Sequence, residues 1–275
     1  MSLDEAIRAA NPRTSEELKE PEKAVALLTV FDETGHPVRT IEGPVSAGFH
    51  RVAWDMRMPP PYRRPGESNE EWNPAPKGPL VLPGNFSVQL ALRVDGKTVP
   101  VAGGKSFSVR TDADAALSKA DRDALHEALS RLRPLQTAGW GAAQTVEQAW
   151  TDLEKVRSAI EDTPGAPSDL FDRYRAARDR LDAIRQALRG DPKLASLNPP
   201  PSIEDRIGQV ADDLRLASAA PTKTDLDQMA AAEKLLAGQI SAFEAWRTRE
   251  MADLNRALDE AGAPWTPGRT PKIGK

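Results

Sequence analysis

The sequence holds no cysteine, only three histidines and two tyrosines among its 275 residues. Without thiols it has no disulfides, no thiolate metal centre and no cysteine nucleophile. His36 falls in a predicted turn, His50 in a predicted strand and His126 in a predicted helix, so no local pattern assembles them into a base or a metal site. No apolar run approaches the roughly 20 residues of a membrane helix. The opening MSLDEAIRAANPR lacks the basic and apolar regions of a signal peptide. As written, the chain reads as soluble; an exported parent would make it a fragment. Charge of one sign is also missing: 37 basic side chains stand against 41 acidic ones, for a net charge of −4. That even distribution excludes the basic footprint of a nucleic-acid binder. The G-x-S-x-G, P-loop, G-x-G-x-x-G and H-E-x-x-H patterns do not occur.

Proline is plentiful, at 24 residues, and its distribution changes near residue 113. Before that point the chain carries short alternating runs of β-formers. After it come long helical patterns almost free of internal proline. Residues 1–23 are charged and aperiodic and read as a tail. Strands are expected at 25–31 and 37–41, joined by the turn Asp32-Glu33-Thr34-Gly35. A further strand is expected at 49–56, with Phe49, Val52 and Trp54 inward at a spacing that requires a bulge or a face switch. The proline-rich stretch 58–82 is unsuited to a buried strand, because each proline removes a ladder donor. Residues 85–94 alternate Phe86, Val88, Leu90 and Leu92 against Ser87, Gln89 and Arg93. Asp95-Gly96 then turns the chain into strands at 98–101 and 106–110. This spacing predicts an antiparallel sandwich.

Ser118 with Asp121 marks a helix start, and apolar residues at three- and four-residue steps predict a helix to about 162. Pro134 and the Gly139–Gly141 region are expected to kink or loosen it. Further helices are expected at 168–189, 202–217 and, after Pro221-Thr222, continuously to about 261. A long three-helix antiparallel bundle with its middle member broken at 190–201 is the economical packing; a four-helix up-down bundle is the alternative. Residues 263–275, rich in proline and glycine, read as disordered. The expected fold class is therefore α+β and multidomain: a β-sandwich over 24–113, then an elongated helical bundle over 114–262.

Chemistry-bearing candidates are few. Most carboxylates lie on predicted helices at ion-pair spacing from arginine or lysine. A glycosidase pair requires a concave site, which a slim bundle does not offer. Asp112 and Asp114 supply too few oxygens for Ca²⁺. No catalytic, cofactor or metal residue is assigned. The arginine-rich run 173–189 could face an anionic partner but reads first as a solvated face. Trp54 reads as a core anchor; Trp140, Trp150 and Trp246 belong to the bundle pattern. Trp72, in a loop without periodicity, must dock on its own domain or meet a partner. Trp72, Tyr62 and Arg64 are the candidate partner or glycan contacts.

Gly35, Val38-Arg39, Gly48, Trp54-Asp55, Pro83-Gly84 and Phe86 stand where an immunoglobulin-like domain of the flagellar hook-capping type carries its motif. The stretch GFHRVAWDMR…GPLVLPGNFSVQLAL resembles that domain. The downstream helices, with Pro221-Thr222 and Leu254-Asn255-Arg256-Ala257-Leu258, resemble the C-terminal region of large bacterial exported proteins with sortilin-like BNR propellers. That resemblance implies an Ig-like sandwich, a periplasmic or extracellular setting and a protein partner or upstream propeller, with no nucleic acid and no membrane insertion. Such proteins are often labelled glycosyl hydrolases, but no S-x-D-x-G-x-T-W Asp box occurs here. The implied role is a non-catalytic accessory or interaction module; the alternative is a carbohydrate-binding accessory domain. No cofactor is expected.

Overall fold

The computed structural model describes residues 24–63, 76–112, 117–217 and 219–271. They divide into two compact units. One holds 24–59 and 80–112; the other holds 60–63, 76–79 and the residues from 117 onward. The described parts of the proline-rich stretch, 60–63 and 76–79, thus belong with the helices.

The first unit is one open antiparallel sheet in the order β2-β1-β3-β4, with β1 at Val25–Phe31, β2 at Pro37–Gly43, β3 at Gly84–Val94 and β4 at Lys97–Val109. Two turns set its register. In the first, the Asp32 carboxylate accepts from the Thr34 and His36 backbone N–H groups, each at 2.9 Å, and Gly35 takes φ +83°. In the second, Asp95 and Gly96 both have positive φ, +48° and +74°, as a two-residue hairpin loop requires. Period-2 alternation then aims Phe86 and Val30 at one face, where both are buried.

The stretch expected as a strand at 49–56 is irregular. Among the described residues there is a single sheet, and this segment lies against its apolar face where a second layer of strands was expected. The Cβ that Gly43 lacks would stand 3.1 Å from Val52 Cγ2 and 3.3 Å from Leu28 Cδ1. Trp54 meets Phe86 edge-on at 5.6 Å and Phe107 at 6.1 Å. Its indole N–H donates to the Arg57 carbonyl at 3.1 Å, and the Asp55 carboxylate accepts from Arg57 N–H. Both bonds fall on the Arg57 backbone, where the segment ends in an isolated antiparallel bridge to Leu80. Phe49, expected inward, is fully exposed at 108%. The runs expected as separate strands at 98–101 and 106–110 form one strand, β4, interrupted only by register shifts against β3 near Leu90.

The second unit begins with α1, Lys119–Glu161, 43 residues and about 65 Å long at 1.5 Å per residue. Ser118 caps it, accepting from Asp121 N–H at 3.1 Å. Pro134 lies within α1, which continues through it. Gly139 is buried: a Cβ there would stand 2.9 Å from Ile207 Cδ1, so the glycine permits a close helix approach. Next come α2, Leu170–Arg189, a 3₁₀ turn at Pro192–Leu197, α3, Ile203–Leu216, and α4, Lys223–Trp246. Ser202 and Thr222 form full capping boxes with Asp205 and Asp225. α2 runs along the C-terminal half of α1 through Tyr174–Glu154 and Arg185–Glu147 contacts. α3 follows it along the same helix at Gly139, and α4 returns beside both.

The last helix is not continuous. A π-helical turn at Arg247–Met251 separates α4 from α5, Ala252–Glu260. Trp246 before the turn and Leu254 after it are both buried, so the core face is kept across the π turn. The tail expected to be disordered is ordered through its described residues. Ala263 and Thr266 are buried, and Trp265 N–H donates to the Arg269 carbonyl at 2.8 Å. The Arg269 guanidinium, 6% exposed, pairs with Asp259 at 2.7 Å and donates to the Pro264 and Ala263 carbonyls.

If the π turn accommodates one extra residue, deleting Thr248 should yield a regular helix and a folded protein. Deleting Ala237, inside regular α4, should throw every later core residue off the face. Urea unfolding followed by circular dichroism distinguishes the two; equal damage from both deletions would refute this role of the turn.

Candidate functional site

The arginine-rich run of α2 is the first place where an anionic partner was conceivable, and the fold supplies each of its six arginines with a carboxylate. Arg173 pairs with Asp169 at 2.6 Å and Arg175 with Asp172 at 3.3 Å, both within exposed turns of the same helix. The other four reach across. Arg178 meets Glu154 at 3.5 Å, Arg180 meets Glu250 of the π turn at 2.5 Å, and Arg185 meets Glu147 at 2.6 Å. Arg189 lies 3.6 Å from Glu147 and 3.4 Å from Glu204. The Trp150 ring is contacted by two of them, with guanidinium carbons 4.9 Å (Arg178) and 5.3 Å (Arg185) from its centroid. A cation held by both a carboxylate and an aromatic ring is poorly placed to recruit an external anion. The run is a seam between helices.

Within that seam Tyr174 is buried and its hydroxyl donates to Glu154 at 3.3 Å. Burial, then the neighbouring Glu154 charge, push its ionisation above the ordinary tyrosine value. The Thr34 hydroxyl holds the exposed Asp32 carboxyl below the usual range, helped by backbone N–H groups of His36 and Thr34. The Arg157 guanidinium is raised further by its Glu161 partner. Arg157 and Tyr174 also act on each other electrostatically, with Glu154 acting on both; Asp32 belongs to the sheet unit.

The predicted contact residues fare differently. Trp72 and Arg64 lie outside the described residues. Tyr62 packs on α1: its ring stacks on Trp140 with centroids 4.7 Å apart and planes 7° from parallel. Pro61 beside it is buried, and its carbonyl accepts from the Thr137 hydroxyl at 2.7 Å. Sequence reasoning had placed Trp140 in the bundle pattern and Tyr62 in a loop; nothing in either pattern joined them. Fixed φ at Pro59–Pro61 is the one local signal that this loop starts as an extended arm.

A second exposed feature is the loop 44–53. Gly48 takes φ +126°, and the His50 ring nitrogen Nε2 lies 2.6 Å from the Ser46 carbonyl, closing the loop. Phe49 stands at its tip, and Val45 beside it is also exposed. His36 joins the first turn through Thr34. His126 is on α1, in the helical unit, whereas His36 and His50 belong to the sheet unit. Among the described residues no group of three or more metal-ligating side chains occurs, and no helix is long and apolar enough to cross a membrane. A shallow cleft of about 280 Å³ opens between Gly165, Pro167, Leu170 and Ala257, with the Asp169–Arg173 pair and Glu260 at its lip.

The seam predicts a pH dependence. With its folded-state pKa raised, Tyr174 stays protonated in the native chain after the unfolded chain has begun to ionise. Its contribution is complete below about pH 10 and falls as pH rises, at up to about 1.4 kcal/mol per pH unit. Urea midpoints above pH 10 should therefore decline more steeply for the parent than for Tyr174→Phe. Equal slopes would contradict it.

Set against protein-family models, curated proteins and solved structures, the chain matches none.

Proposed function

We propose that the chain is a non-catalytic accessory and interaction module, either the C-terminal part of an exported propeller protein or a partner to one. The observation that carries this reading is the display of Phe49. We read the aromatic ring, fully exposed at 108% beside exposed Val45 on a loop closed by the His50–Ser46 contact, as the surface offered to an apolar partner. Preorganisation of that kind reduces the ordering cost of association.

The sheet unit is read here as an Ig-like domain of the hook-capping type. The contact of Trp54 with Phe86 at 5.6 Å supports this, because it joins the Trp-Asp and Pro-Gly-x-Phe positions of the resemblance. The helical unit is read as a three-rod bundle with a broken middle rod, supported by the successive contacts of α2 and α3 along α1. The carbohydrate-binding alternative has Tyr62 as its one described candidate. That ring is already stacked on Trp140, so the interaction reading is preferred.

Chromogenic glycosides, esters and phosphate esters should show no turnover; turnover abolished by one carboxylate substitution would overturn the proposal. Phe49→Ser should leave unfolding stability within about 0.5 kcal/mol of the parent while shortening retention on a hydrophobic-interaction column. A loss above about 1 kcal/mol would instead assign the ring to a core.

A further inference from the structure

The geometry points to a peptide-binding site on α1, built around Thr137 and Trp140, that takes an extended proline–tyrosine segment and is filled in cis by Pro61 and Tyr62. This deepens the interaction reading above by naming the segment chemistry that one surface accepts.

Three observations converge on the site. Pro59, Pro60 and Pro61 are consecutive, and a residue that precedes proline is confined to extended or polyproline conformations. The arm therefore reaches the helix already stiff, with little backbone freedom left to lose. Second, its contacts combine one polar and one aromatic anchor. The Thr137 hydroxyl donates to the Pro61 carbonyl at 2.7 Å rather than only to its own helix, where Arg133 O lies at 3.1 Å. The Tyr62 ring covers Trp140 at 4.7 Å, nearly parallel. Third, the helix face continues beyond the arm. Thr137, Trp140, Gly141 and Gln144 share one side of α1 at i, i+3, i+4 and i+7. Among the described residues no atom outside the helix's own neighbours lies within 4 Å of where a Gly141 side chain would begin.

A carbonyl clamp next to an aromatic plate is how proline-rich segments are recognised in aromatic-lined grooves. The covalent arm competes with any external segment at an effective concentration on the order of millimolar. A matching segment of another protein enters only when that arm is displaced, so the cis contact acts as a self-blocking plug.

The test uses the full chain. In ¹⁵N-labelled protein the Trp140 indole N–H signal is identified by its loss in Trp140→Leu. Tyr62→Ala should shift that signal while circular dichroism stays native. A synthetic peptide spanning residues 58–63 should then move it back toward its parent position. The parent should need at least tenfold more peptide for the same shift, and a peptide with alanine in place of its tyrosine should not bind. Three results overturn the proposal: an unmoved Trp140 signal in Tyr62→Ala, no response of that variant to millimolar peptide, or equal responses of parent and variant. None of these results bears on the catalytic screen, so failure here leaves the module reading to be judged on its own experiment.

Discussion

The helical unit depends on the burial of the Trp246 indole. Its side chain is 1% exposed, and its ring nitrogen donates to the Ala177 carbonyl in the middle of α2 at 2.8 Å. That carbonyl is also in the helical ladder, so the indole adds a second donor to it without costing α2 a backbone bond. Phe243 stacks on the same ring at 5.7 Å. The bond fixes α4 against α2 in both height and rotation, and the chain beyond must adjust to it. The π turn is that adjustment. It starts at the next residue, returns Leu254 and Leu258 to the core, and places Glu250 against Arg180.

From this follows the polar organisation of α2. Once α1, α2 and α4 are in register, the arginines of α2 lie opposite Glu147, Glu154 and Glu250. Each exposed pair is worth little in isolation. The inner ones differ, because Arg185 and Glu147 are each less than a third exposed and Glu147 serves Arg189 as well. A helix that looks from its composition like an anion-binding surface is a set of cross-links. External contact is what we propose for the Phe49 loop on the sheet unit and for the Thr137–Trp140 site on α1.

Much of this was legible wherever a local rule acts alone. The caps at Ser118, Ser202 and Thr222, the alternation through Phe86 and the hairpin at Asp95-Gly96 all depend on neighbours within a few residues. The failures share one cause, since each involves a residue whose decisive partner is remote. Trp246 sits in an unbroken helical pattern, from which neither its bond to Ala177 nor the π turn after it can be read. The C-terminal segment has the proline and glycine content of a disordered tail, yet Arg269 reaches Asp259 and two backbone carbonyls. At 49–56 the β-formers suggested a strand, but the segment is irregular and Trp54 packs on Phe86 and Phe107, both remote in sequence. Tyr62 was singled out as a contact residue, while its partner Trp140 was assigned to the bundle pattern.

The most direct test of this account is native-state hydrogen exchange on the parent and Trp246→Phe, which keeps an aromatic ring and removes the donor. If the indole bond sets the register of the helices, protection should fall together in α2 around Leu181 and in α5 around Leu254, by about tenfold for a bond worth roughly 1–1.5 kcal/mol. Loss of protection confined to the residues beside position 246, with α2 and α5 unchanged, would contradict it.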